Sequence, residues 1–167
     1  MIKKGGVRLI SGIIALGILL ILVLAVRAEA VILDLTILNP EVQKGEEISF
    51  IENIEIESGE FLDIQNIILY LSGPVNIKCM FNANGSIISG CLGMQVQQIN
   101  STSYNYSYGF SEGNLTYLIT LDSSAHIAGT YSTSLEIVSQ EGIIKEDGED
   151  ITISAIIEEL GACSIRA

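Results

Sequence analysis

Asn84-Gly-Ser, Asn100-Ser-Thr, Asn105-Tyr-Ser and Asn114-Leu-Thr each set an asparagine amide two residues ahead of a hydroxyl. This is the acceptor pattern for N-linked sugar, and its clustering within about thirty residues exceeds what average composition supplies. The plainer alternative is a polar, turn-rich stretch. Cysteine chemistry overlaps the same region. Cys79 and Cys91 flank Asn82-Ala-Asn-Gly85, a hairpin-turn signal. A three-residue loop at Asn84 to Ser86 sets the two cysteines opposite each other on adjacent strands, the geometry of a hairpin disulfide in an oxidising compartment. Cys163 is left over near the C-terminus: free, buried or intermolecular.

Glu146-Asp147-Gly148-Glu149-Asp150 gathers carboxylates, so Asp147, Glu149 and Asp150 are candidate calcium ligands, with an exposed hairpin turn as the alternative. No other cofactor is implied. His126 is the only histidine. Asp122, Ser123, Ser124 and His126 lie too close along one loop for a Ser-His-Asp relay, and no Gly-x-Ser-x-Gly elbow occurs. One histidine and scattered cysteines do not make a zinc site. No residue set supplies nucleophile, base and orienter, so an enzyme is not expected.

After Ala30 the hydrophobic period is two. Val31 to Leu38, Glu47 to Glu57, Ile64 to Leu71, Val75 to Phe81, Ser86 to Cys91, Met94 to Ile99, Leu115 to Leu121, Thr130 to Val138 and Ile151 to Ile157 read as strands. In Glu47 to Glu57 the apolar residues should face a core and the acidic ones water, with a turn at Glu57-Ser-Gly59. Tyr104, Tyr106, Tyr108 and Phe110 recur at every second position. They form either an edge strand with a packed aromatic face or an exposed contact surface. Eight or nine strands at this spacing predict an all-β fold, an antiparallel β-sandwich. Ala128-Gly-Thr-Tyr131 ahead of a strand is similar to the tyrosine corner of the immunoglobulin-like fold, which implies that Tyr131 hydrogen-bonds to the chain just upstream. Thr133 stands where antibody domains carry their second cysteine, and the chain has no Trp, so the resemblance is to the wider immunoglobulin-like sandwich.

Lys3, Lys4 and Arg8 precede an uncharged apolar run of 18 residues, Leu9 to Val26. A helix of that length spans roughly 27 Å, enough for a bilayer core. The basic flank orients it N-terminus in, with everything beyond Ala30 outside. It acts either as a signal peptide cut after Ala28-Glu29-Ala30 or, the reading favoured here, as a single-pass N-terminal anchor. Lys3-Lys4-Gly5-Gly6 before an apolar helix also resembles the start of archaeal type IV pilin-like proteins, which implies cleavage before the helix and assembly into a fibre. The expected organisation is a hydrophobic helix at 1–30, a β-sandwich at 31–157 and a tail at 158–167.

Beyond Ala30, 19 acidic residues face four basic ones, a net charge of −15. Such a surface repels nucleic acid and anionic lipid heads. Together these features predict a module at the cell membrane or secreted, with a structural or interaction role (adhesion or envelope) and with protein or glycan partners at the cell surface. Alternatives are a pilin-like, fibre-forming subunit in which Val31 to Leu38 serves strand addition, and a ligand- or carbohydrate-binding module, calcium-assisted, using the tyrosine segment.

Overall fold

The computed structural model describes residues 31–102, 105–106 and 109–156. The expected hydrophobic helix at 1–30, Ile157 of the expected last strand and the expected tail at 158–167, with Cys163, lie outside the described residues. No helix long and apolar enough to cross a membrane occurs among the described residues.

The first sheet contains β1 (Val31–Ile37), β3 (Glu47–Leu62), β7 (Met94–Ser101), β8 (Asn105–Tyr106) and β9 (Gly109–Asp122). Its order is β1-β3-β9-β7, with β8 pairing β9. The second contains β2 (Glu41–Gln43), β4 (Ile64–Ser72), β5 (Ile77–Phe81), β6 (Ile87–Ser89), β10 (Gly129–Ser139), β11 (Gly142–Asp147) and β12 (Ile151–Ser154). Its order is β2-β12-β10-β4-β5-β6, with β11 also on β10. Chain order and sheet order together are those of an immunoglobulin-like sandwich. The first strand divides at Asn39-Pro40, and its second part, β2, runs parallel to the last strand, β12.

Twelve strands appear among the described residues rather than eight or nine. Beyond the nine segments expected, the added strands are two short pieces, β2 and β8, and β11, which with β12 makes a last strand broken in two. β11 and β12 lie along the same side of β10, parted where Gly148 N–H donates to Thr133 O (3.0 Å) and Thr133 Oγ1 donates to Glu149 O (2.8 Å). The turn expected at Glu57 to Gly59 is instead an irregularity inside β3. Pairing with β9 lapses after Ile56 and resumes at Phe61 and Leu62.

Alternation builds the core. Leu33, Leu35 and Ile37 of β1 face inward while Ile32, Asp34 and Thr36 face out. Ile48, Phe50, Ile54 and Ile56 of β3 meet Leu115, Tyr117, Ile119 and Leu121 of β9, and Ile67, Leu69, Leu71, Leu135 and Ile137 line the opposite sheet. Removing this apolar area from water is the main favourable term in folding. The corner is present as expected: Tyr131, fully buried, donates its hydroxyl to Ile127 O at 2.6 Å. His126 beside it is a buried loop residue whose Nε2 meets Leu92 O at 3.0 Å.

Candidate functional site

Cys79 and Cys91 are joined, with Cα atoms 4.2 Å apart. The hairpin that aligns them differs from the sequence expectation. Asn82 N–H donates to Ser86 O (3.0 Å), so the loop is Ala83 to Gly85, two pairings out of step with the cysteines. The offset is absorbed where Met80 pairs Ser89 and Phe81 pairs Ile87, and then at Gly90. Gly90 has φ +76, and a Cβ there would lie 2.0 Å from Lys78 O. Only glycine fits that close approach in the left-handed region.

The tip of this hairpin reaches across to the first sheet. Ala83, itself buried, accepts on its carbonyl from Tyr117 Oη (2.5 Å, β9) and Gln98 Nε2 (3.1 Å, β7). Phe81 packs edge-on to Tyr117 with ring centroids 5.5 Å apart. Disulfide, tip and Tyr117 thus clamp one end of the sandwich.

Beside this clamp is a group the sequence pattern assigned to water. Glu52 sits in register with Leu35 on β1 and Tyr117 on β9. It is 0 % exposed, and neither carboxylate oxygen has a hydrogen-bond partner. Burial raises its pKa from the ordinary 4.5 to about 8. The acidic groups of Glu47, Glu55 and Glu57 do face outward, but Glu52 shares the parity of Phe50 and Ile54 and must enter the core. Desolvation, then the charge of Glu52, push the Tyr117 hydroxyl well above the usual tyrosine range, so it stays a neutral donor. The signal available in the sequence was that parity alone.

Of the acceptor asparagines, Asn84 is exposed at the hairpin tip, where its Oδ1 accepts from Ser86 N–H (2.9 Å). Asn100 and Asn114 come together on the outer face of the first sheet. Asn100 pairs with Thr116, two residues along β9 from Asn114. Asn100 is exposed, while Asn114 is half-buried with its Oδ1 enclosed. The backbone of Asn105 is in β8; its side chain lies outside the described residues.

Of the aromatic segment, only Phe110 has a described side chain. Phe110 is 8 % exposed, paired with Leu62 and part of the core, which corrects its assignment to the contact surface. Gly109 (φ +136) turns the strand there, and a Cβ on it would meet Leu62 O at 2.6 Å. Tyr104 and Tyr108 lie outside the described residues, and Tyr106 is described only by its backbone in β8.

Asp147, Glu149 and Asp150 are exposed, and Asp147 Oδ1 is bound to Lys145 Nζ at 2.7 Å. Among the described residues no three His, Cys, Asp or Glu side chains converge as metal ligands.

No known protein family matches the sequence, and neither does any curated protein. Solved structures do resemble it. A family 123 glycoside hydrolase from Clostridium perfringens is 15 % identical with a TM-score of 0.43. The likeness covers 71 % of this chain and 22 % of the hydrolase, about a fifth of its length. A cohesin module of a family 33 glycoside hydrolase from the same organism is 15 % identical over 75 % of this chain and 98 % of the module, at 0.32. AvmM, which catalyses macrocyclization in alchivemycin A biosynthesis, is 6 % identical over 80 % of this chain and 93 % of its own, at 0.43. None of these carries an activity or a ligand over to this chain.

Proposed function

We propose that this chain is an exported or membrane-anchored cell-surface module. Its immunoglobulin-like sandwich has a structural or interaction role, and its glycans sit on the outer face of the first sheet. The observation that supports it most is the composition of that face. Ser49, Asn53, Asn114, Thr116 and Thr120 share it with Gln95, Gln97 and Asn100 of β7, strand beside strand. Thr116 Oγ1 donates to Asn53 Oδ1 at 3.1 Å within it. A hydrogen-bonding platform that carries two acceptor asparagines, with Glu55 beside Asn114 and Asp34 beside Asn53, suits display and contact outside the cell. Phe110, buried in the core, is not available to the carbohydrate-binding alternative, which would rest on the tyrosines.

Mass spectrometry of the protein taken from cells tests this reading. Hexose mass on Asn100, the exposed acceptor on that face, is expected. Loss of about 3 kDa, the mass of ~30 residues, would replace the anchor by a cleaved signal. An unmodified, intact chain in the soluble cytosolic fraction would overturn the proposal.

A further inference from the structure

An open sheet edge is a row of unpaired N–H and C=O groups, and proteins blunt such edges with short strands, bulges, proline or charge. This sandwich does so nearly everywhere. β2 has three residues and follows Pro40, and β6 has three residues with a register shift. β7 is bulged between Gln98 and Asn100, β8 has two residues, and β11 ends Lys145-Glu146-Asp147. β1 is the exception. It has seven residues in unbroken register with β3, a single charge at Asp34, and no strand partner but β3 among the described residues. It is also tied into its own sheet along its whole length, so donation of this strand to another molecule would dismantle the first sheet. Addition to its free edge would not.

We propose that β1 is a homophilic contact, pairing antiparallel with β1 of a second copy about a two-fold axis at Leu35. This deepens the surface-contact reading above and rests on it. Leu38 N–H donates to Ser49 O (2.9 Å), which turns the even-numbered backbone groups of β1 toward β3. The odd-numbered groups, from Val31 to Ile37, therefore point outward. A two-fold at Leu35 sets odd against odd: Leu35 on Leu35 and Leu33 on the partner's Ile37, about six inter-chain hydrogen bonds. On the outer face, Asp34 then meets the partner's Thr36. Ile32 and Leu38, 49 % and 58 % exposed, cover each other. A two-fold at Asp34 would oppose two aspartates, and one at Leu33 would set Ile32 against Asp34; both are disfavoured cross-strand pairs. The antiparallel sense brings the two chains into Val31 from opposite ends, which suits copies reaching from facing surfaces.

Thr36 is exposed on the outer face opposite Ile51, and its hydroxyl donates to Asp34 Oδ2 (3.3 Å), so it reports register without disturbing the core. The test is sedimentation equilibrium of the full chain in mild detergent, with circular dichroism to verify folding. Wild type should dimerise reversibly. Thr36→Asp, facing the partner's Asp34, should weaken the dimer at least tenfold, and Thr36→Lys should tighten it. A monomer up to about 1 mM, the weak end of specific association, overturns the proposal. So does a dimer that ignores both substitutions, or one weakened equally by both. An edge filled by a strand of a different protein would show as a wild-type monomer. Surface display is read independently by labelling, so a monomer labelled from outside refutes the pairing alone.

Discussion

Glu52 and Tyr117 stand directly opposite one another on β3 and β9, both 0 % exposed. The tyrosine spends its hydroxyl on Ala83 O, and the carboxyl is left without a donor. A polar group in that position opposes folding unless it stays neutral.

The pH dependence of stability follows. Glu52 holds its proton to about pH 8 when folded, against an ordinary 4.5. The folded state therefore binds the extra proton between those values. Stability is full below the lower one and declines as pH rises to the upper, by at most about 1.4 kcal/mol per unit. Urea unfolding at several pH values in this window should show the decline, and Glu52→Gln should flatten it. An unchanged slope in Glu52→Gln would contradict the assignment.

Two tyrosine hydroxyls should differ in cost. Tyr131→Phe leaves Ile127 O without its side-chain donor, whereas Tyr117→Phe leaves Ala83 O with Gln98 Nε2. Chemical denaturation should show a loss of about 1–2 kcal/mol for Tyr131→Phe and about 0.5–1 for Tyr117→Phe.

Reduction should destabilise the sandwich. The Cys79–Cys91 link closes a 12-residue separation. Loops near that length contribute about 3 kcal/mol through the unfolded state. Cys79→Ala with Cys91→Ala should lower the melting temperature by several degrees, and reductant should then have no further effect.

Gly90→Ala should be costly for an exposed turn residue. It combines φ +76 with a Cβ 2.0 Å from Lys78 O. A loss of about 2 kcal/mol or more and slower disulfide formation are expected, measured by thiol trapping during refolding.

Local physics made much of this legible in the sequence. Tyr131 finds its acceptor four residues upstream, and Cys79 and Cys91 sit on one hairpin, so neither needed knowledge of the distant chain. The hairpin register was not legible, because the offset at Gly90 depends on close approach to Lys78 O. Glu52 was misplaced because an acid amid alternating acids and isoleucines looks outward until parity is counted from Phe50. Phe110 was misplaced because alternation through Tyr104 to Phe110 does not say which face is covered. Pairing of Phe110 with Leu62 decides that, and it is a contact about fifty residues away in sequence.

Display outside the cell is the claim on which the functional account stands. Its most direct measurement is labelling of intact cells with a membrane-impermeant amine reagent, read at Lys78 and Lys145, both exposed on the sandwich. The account predicts equal modification in intact and lysed cells. Modification only after lysis would contradict it.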